Sequence, residues 1–410
     1  MSSDPAQSPP SRPRILGPLL LAGAVVLTLA TGVVGVGRPK IAKDDPSDNL
    51  YFYTAGLCWK QGRSPYDAKI LMGSGRGITD IKDSGIAYPP QSSSLFVLLA
   101  LFSPSGGGAV WTLLNLASLA ALAWLCAVPF RRPPAAPDAE PWIDPRWLIA
   151  ALVVGNPFPS HVLWKGGSSL VAAALLAGAW ACAERDRWKL GGLLLGLATF
   201  KPQLALLPIL WLLLERRWKI LAAGFVAALL FSLPAFRANG VVGAYMEWLG
   251  GMKYAVQQKG GAALSEMELR RFLGIVGLPL PDLLLLAPVA AVGLWMARAR
   301  IVIPDRFPLL IGIAFQFIYL HDGDLVTLSP IIPAYYRHLA GRPRRWTLLA
   351  LALAAIVCFP QRLLRRPGIE LLPFIRIPAV TALVVWLLFL SLEETSAAPP
   401  RMAPAEPARA

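Results

Sequence analysis

The sequence predicts an all-α polytopic membrane protein, and three observations support this fold class. Of the 410 residues, 55% are hydrophobic and only 15% are charged, whereas soluble domains carry about a quarter charged residues. The mean hydropathy is +0.54. Lysine and arginine lie in short tracts between long apolar runs, a pattern typical of a chain that crosses a bilayer repeatedly.

The first apolar run, residues 15–37, contains no charged residue. It is about as long as the roughly 20 residues that a helix needs to cross a bilayer. Arg12 and Arg14 precede it, and the run is longer than the apolar core of a secretory signal peptide. We therefore expect a retained first helix with its N-terminus in the cytoplasm.

Pro/Ala-rich ends flank the apolar part of the chain. They predict a disordered cytoplasmic N-terminus over 1–13 and a disordered tail over 392–410, around a single transmembrane domain at 14–391. Further candidate spans follow the first helix at 90–103, 108–129, 147–163, 168–183, 188–200, 203–214, 219–235, 281–297, 307–320, 325–340, 346–359 and 374–391.

The basic tracts assign sides to these candidate spans. ERDRWK at 184–189, ERRWK at 215–219, RAR at 298–300 and RHLAGRPRR at 337–345 are predicted to be cytoplasmic. The first of these tracts would lie outside if every segment between 90 and 163 crossed. We therefore expect one of those segments to be re-entrant, or two to form one element, with 90–103 the weakest candidate. About twelve spans remain, with both termini inside.

This topology places two long polar stretches, 38–90 and 236–280, on the outward side. In the first stretch the spacing of the apolar residues predicts a short helix along the membrane interface. These residues are Leu50, Tyr51, Tyr53, Leu57 and Trp59. Asp48 falls at the N-cap position of this helix, and a cap by itself would account for the carboxylate without any chemistry.

Other polar residues fall at predicted outward ends of spans. Lys201 precedes a proline between two apolar runs, where it would either pair with an anionic group or snorkel to the interface. His321, Asp322 and Asp324 lie in YLHDGDL, which is alternatively a solvated turn. Three further residues complete this set: His161 and Lys165 in NPFPSHVLWKGG, and Tyr88 in IAYPPQ.

Composition argues against two other classes of function. The net charge of +15 is spread over the loops between spans, which favours membrane topology over nucleic-acid binding. The four cysteines lie far apart and mostly inside apolar runs, so neither a disulfide framework nor a metal site is indicated. No glycine-rich phosphate-binding motif of a soluble nucleotide-sugar domain is evident.

Several of these motifs together resemble glycosyltransferase family 87, transferases of GT-C type that use polyprenyl-phosphate sugars and include bacterial α-mannosyltransferases. The resemblance lies in DNLYFYTAGLCWKQGRSPYD at 48–67, in AYPP, and in the helix pair around GLATFKP, and it covers about 45–235 and 307–335. The segment WKGGSSL at 164–170 stands where the family usually has a Gly-Gln-x-Asn stretch.

The resemblance implies a GT-C-like fold and roles for individual residues. It makes Asp48 the catalytic base, and it matches Lys201 to the family's lysine before a proline and His321 to its later outward histidine, both candidate substrate-binding residues here. We add Lys165, Tyr88 and Asp324 as candidate substrate-binding residues and assign no metal ligand.

The implied reaction is an inverting transfer on the outer side of the plasma membrane. The donor is a polyprenyl-phosphate sugar, mannose first and arabinofuranose as the alternative, and the acceptor is a lipid or a glycan. We expect no cofactor beyond that donor, and the sequence leaves the metal requirement open. The chemistry agrees, because one carboxylate suffices to deprotonate an acceptor hydroxyl, and a cation suits the departing phosphate.

Two other functions remain open from the sequence. A flippase or transporter of a lipid-linked sugar would line its pathway with the same polar residues, although no inverted repeat is evident. A glycan ligase or polymerase shares the architecture and the donor, and Arg270 and Arg271 of the second outward stretch suit its pyrophosphate.

Overall fold

The computed structural model describes residues 15–36, 47–78, 86–129, 143–258, 269–275, 277–278, 286–318, 320–359 and 375–397. Within these ranges the chain forms helices and no β-strand, which confirms the predicted all-α class. The α-helices are α1 Leu16–Val36, α2 Asp48–Lys60, α3 Ala68–Gly75, α4 Ser93–Leu99, α5 Pro104–Ala127, α6 Pro145–Gly155, α7 Pro157–Lys165, α8 Ser169–Glu184, α9 Trp188–Ala198, α10 Pro202–Leu214, α11 Trp218–Phe231, α12 Leu233–Gln258, α13 Leu269–Ile275, α14 Leu286–Met296, α15 Arg306–Phe317, α16 Ile331–Leu339, α17 Arg344–Cys358 and α18 Arg376–Ala397.

Proline at the first helical position begins several of these helices, including α5, α6, α7 and α10. Proline has no N–H to leave unsatisfied there, and its fixed φ suits the first turn. The preceding residue often completes the cap. Ser103 accepts from Gly106 N at 3.2 Å, and Asp144 accepts from Arg146 N at 2.9 Å. The helix starts therefore follow from local sequence.

The lengths of the helices support fewer spans than the sequence predicts. Among the described residues, α5 and Arg376–Ser396 within α18 are long and apolar enough to cross a membrane. Two bent pairs raise the number to four if each counts as one span: α6 with α7, bent by 41°, and α11 with the first part of α12, bent by 103°. The structure is that of a helical membrane protein, but the predicted twelve spans are not confirmed.

Some segments agree with the expectation and others differ from it. The segment 90–103, the weakest candidate span, contains α4, whose seven residues are too short to cross a bilayer, as expected for a segment that does not cross. The second polar stretch, 236–280, is largely helical where it is described, because α12 continues through it with a break at Asn239–Gly240. The last helix continues to Ala397, past the predicted boundary at 391.

Helix α2 confirms the helix predicted in the first polar stretch, with two corrections. The N-cap residue is Ser47, and Asp48 is the first helical residue, so the predicted capping position of Asp48 is wrong by one residue. The helix also buries Phe52, Tyr53 and Trp59 against α4 and α5, so it is embedded in the protein rather than lying on the interface. Its aromatic side chains bury more apolar area than a one-sided surface helix would.

Glycines on one face of α9 let it pack tightly on α11. A methyl group added at Gly192 would lie 2.8 Å from the carbonyl oxygen of Ile220, and one added at Gly196 would collide with the backbone of Gly224. Small residues at this spacing allow two helix backbones to approach closely within a membrane. The close pair holds α9 beside α8 and α10.

Helices α8 and α10 define two ends of the bundle. Each begins next to polar residues, Ser168 before α8 and Lys201 before α10. Each ends in a basic turn, where Asp186 and Arg216 adopt left-handed φ values of 52° and 57°. We call the end where these two helices begin the site end, and the end with the basic turns the opposite end.

Candidate functional site

Five separate segments bring polar side chains together at the site end. They are the start of α2, the extended segment before α4, the turn between α7 and α8, the start of α10 and the 3₁₀-helix Asp322–Leu328. Because each segment is held by a helix that begins or ends at this point, the side chains have fixed positions.

Lys201 lies in a buried ion pair rather than at the membrane interface. Its Nζ donates to Asp324 Oδ1 at 2.5 Å and to Ser169 Oγ at 2.8 Å. Only 7% of the Lys201 side chain and none of the Asp324 side chain is exposed. The lysine therefore does not snorkel, and Asp324 is not part of a solvated turn.

Asp324 is held as a carboxylate by three polar contacts. Besides Lys201, Ser169 Oγ donates to its Oδ1 at 2.7 Å and the backbone N of His321 donates to its Oδ2 at 3.0 Å. Burial alone would raise the pKa of Asp324, but the charges of Lys201 and His321 and these hydrogen bonds outweigh burial and lower that pKa. The Asp324 carboxyl group is therefore ionised at neutral pH.

Tyr88 and Asp48 lie beside the turn between α7 and α8. The Tyr88 hydroxyl and Ser168 Oγ are 2.7 Å apart in a hydrogen bond. Burial, and then the negative charge of Asp48, raise the pKa of Tyr88, so the phenol stays protonated. Asp48 itself is exposed, and a methyl group placed on Gly167 would lie 3.6 Å from its Oδ2. A carboxylate open to solvent thus stands beside a neutral phenol.

The turn at 166–167 is shaped to allow this approach. Gly166 has a φ of +66°, which only glycine adopts without strain, and a Cβ there would lie 3.0 Å from the side chain of Asn49. Trp111 Nε1 donates to the Gly166 carbonyl oxygen at 2.7 Å and fixes the turn from the other side. Gly166 therefore lets the turn before α8 lie against the start of α2.

Aromatic rings enclose the buried half of the cluster. The Tyr88 ring contacts Phe52 edge to face, with centroids 5.0 Å apart, and lies parallel to Phe200 at 6.3 Å. These rings exclude water from the side of the cluster that contains the Lys201–Asp324 ion pair. Exclusion of water strengthens electrostatic interactions with a bound substrate. The remaining candidates sit at the edge, where Lys165 ends α7 half buried and His321 is exposed.

Two serines that are not among the candidates predicted from the sequence connect the polar residues of this site. Ser168 bonds Tyr88 and Ser169 bonds the Lys201–Asp324 pair, and both are almost fully buried. They fall in WKGGSSL, the one segment that departs from the family pattern. The sequence signal for these residues was the pair of glycines before the two serines. A break of this kind in the helical pattern places the serines at the start of a helix.

The arrangement suits an anionic group better than a metal ion. Helices α8 and α10 both begin at this cluster, and a helix N-terminus carries partial positive charge. Among the described residues, no three histidine, cysteine or acidic side chains come together as metal ligands. Asp44 and Asp45 are the nearest carboxylates before Asp48 and the next candidates for the base after it, and they lie outside the described residues.

Comparison with known sequences assigns the chain to a family. A profile of glycosyltransferase family 87 matches residues 87–318, more than half of the chain. The match includes Tyr88, Lys165 and Lys201, while Asp48, His321 and Asp324 lie outside it. Searches of curated proteins and of solved structures gave no significant match. The chain therefore belongs to glycosyltransferase family 87 and is a membrane-embedded glycosyltransferase.

Proposed function

We propose that this protein transfers a sugar from a polyprenyl-phosphate donor to a hydroxyl of a lipid or glycan acceptor, with inversion at the anomeric carbon. The observation that carries the proposal is the pairing of an exposed carboxylate, Asp48, with a buried polar cluster in a single site of a glycosyltransferase. Mannose is the first sugar to test and arabinofuranose the second.

In this proposal Asp48 is the general base. It is exposed, so an acceptor hydroxyl can reach it, and its neighbour Tyr88 is a neutral hydrogen-bond donor that does not compete for a proton. The carboxylate removes the proton of the acceptor hydroxyl as that oxygen attacks the anomeric carbon. A positioned base of this kind contributes about 10²- to 10⁴-fold to the rate.

The buried polar cluster would bind the phosphate of the donor. A lysine ammonium has three donors, and Lys201 commits two of them to Ser169 and Asp324. Its third N–H, with the N-terminus of α8, would stabilise the departing lipid phosphate. Asp324 then acts as a positioning residue that holds the lysine.

The sidedness of the reaction follows from the charge pattern. Basic turns at the opposite end favour the cytoplasmic side for that end, so the site end faces outward. A donor that carries its own phosphate leaving group suits this side of a plasma membrane, because it needs no nucleotide.

A donor panel tests the reaction type. The purified full-length protein is reconstituted in liposomes with lipid extract as acceptor and offered polyprenyl-phosphate mannose, polyprenyl-phosphate arabinofuranose or a nucleotide sugar. We expect consumption of one lipid donor, release of polyprenyl phosphate and a product of inverted configuration. Use of the nucleotide sugar alone, or movement of the intact lipid donor across the bilayer without cleavage, would overturn the proposal.

A further inference from the structure

A polar cavity lies at the opposite end of the bundle, away from the candidate site. It has a volume of about 920 Å³ and opens between the α10–α11 turn and the end of α14. Three arginines and a single glutamate supply its charged lining, which consists of Arg216, Arg217, Arg298 and Glu215. The cavity therefore carries an excess of positive charge.

The three arginines are not equally engaged by the protein. Arg217 pairs with Asp186 at 2.6 Å, and Glu215 is shared between Arg217 at 3.6 Å and Arg306 at 4.0 Å. The guanidinium of Arg216 is exposed and makes no hydrogen bond or ion pair with the part of the chain that the structure describes. The carboxylates near the cavity are thus committed to Arg217 and Arg306, which leaves Arg216 available to a ligand.

The wall formed by α14 carries an unused donor. Trp295 lines the cavity, and its Nε1 is buried without a hydrogen-bond partner among the described residues. Arg298 covers the same ring, with its guanidinium carbon 3.9 Å from a ring centroid. A buried indole N–H usually finds an acceptor, so this donor points to a ligand with acceptor oxygens.

The rim of the cavity has the character of a membrane interface. Trp218 is 58% exposed, Met296 is 71% exposed and Leu213 is 43% exposed. Tryptophan beside arginine, next to exposed aliphatic side chains, is typical of the level of lipid headgroups. A ligand here would meet charge at its head and apolar surface along its chains.

We propose that this cavity binds the phosphate of an anionic glycerophospholipid of the inner leaflet, with Arg216 and Arg298 as the cationic contacts and Trp295 Nε1 as a neutral donor. Basic pockets at helix ends on the cytoplasmic side have the charge and depth for such headgroups. The acyl chains would lie against Leu213 and Met296.

Native mass spectrometry of the full-length protein with defined lipids tests this proposal. The wild-type protein should retain phosphatidylglycerol in preference to phosphatidylcholine. The double variant Arg216→Gln/Arg298→Gln should lose about tenfold or more of its affinity for phosphatidylglycerol. Arg344→Gln/Arg345→Gln removes the same charge from an exposed helix start on the same predicted side and should change affinity less than about twofold.

Each other outcome counts against the proposal. An equal loss in both double variants would show a general surface-charge effect, and equal retention of the two lipids would exclude charge recognition. Displacement of the lipid by millimolar inorganic phosphate would identify a free anion as the ligand. If the pocket double variant does not fold, Arg216→Gln alone decides, because this exposed side chain contributes little to stability.

Discussion

The buried pair of Lys201 and Asp324 predicts a large and specific loss of stability when one partner is removed. Lys201→Met leaves Asp324 fully buried with its charge uncompensated. Breaking a buried pair in this way costs about 3–5 kcal/mol of unfolding free energy. The exposed pair between Arg217 and Asp186 is the matched control, since 83% of the Asp186 side chain is exposed. Asp186→Asn should cost less than about 1 kcal/mol.

A double-mutant cycle measured by titration with a denaturing detergent checks the assignment. Asp324→Asn should also destabilise, because it leaves the Lys201 ammonium buried without its counter-charge. The double variant Lys201→Met/Asp324→Asn should cost less than the sum of the two single changes, since it removes both charges. A loss below about 1 kcal/mol for Lys201→Met, or simple additivity, would refute the buried pair.

The same pair makes the stability depend on pH in a stated direction. The pKa of Asp324 is lower in the folded protein than its ordinary value, so its contribution is complete above the ordinary carboxyl pKa of about 4. That contribution is lost as the pH falls through the lowered folded value. The stability difference between wild type and Lys201→Met should therefore shrink only in acid. A difference that instead shrinks above neutral pH would contradict the assignment.

Three further predictions concern packing, sidedness and the site. Gly196→Leu should cost roughly 1–3 kcal/mol through overpacking against α11, whereas Gly293→Leu, with open space around it, should cost less in the same titration. In a cysteine-free background, a Ser47→Cys protein should react with an impermeant thiol reagent added from outside. An Arg216→Cys protein should react only after the membrane is opened. The reverse pattern would overturn the topology. Tyr88→Phe should lower kcat/KM about tenfold through the lost hydroxyl, and an unchanged value would exclude that hydroxyl from the site.

The sequence predicts the class of this protein well because hydropathy and charge are additive along the chain. The all-α class, the α2 helix and the gathering of Asp48, Tyr88, Lys201 and Asp324 at one end follow from local patterns and from span counting. The predicted count of twelve spans is not confirmed, because apolar runs such as 188–200 and 203–214 form helices of 11 and 13 residues, shorter than the roughly 20 residues that a span needs. Hydropathy alone cannot distinguish such elements from spans.

The contacts between the residues of the site could not be predicted from the sequence. Lys201 and Asp324 are separated by 123 positions in the chain, and no local pattern pairs them. Ser168 and Ser169 were overlooked because small hydroxyl residues before a helix are ordinary caps. The one-residue error at Asp48 has the same origin, since Ser47 and Asp48 are both favoured at an N-cap.

The role of Asp48 as the base is tested most directly by replacing it with asparagine in the purified protein and measuring turnover of the lipid donor that the wild type consumes. Asparagine preserves shape but cannot accept the proton, so kcat should fall by about 10²-fold or more. Asp67→Asn is the matched control, because Asp67 only caps α3 by accepting from Lys69 N at 2.8 Å and asparagine can do the same; it should retain wild-type turnover. Retention of more than about a tenth of the wild-type rate by a folded Asp48→Asn protein would exclude Asp48 as the base.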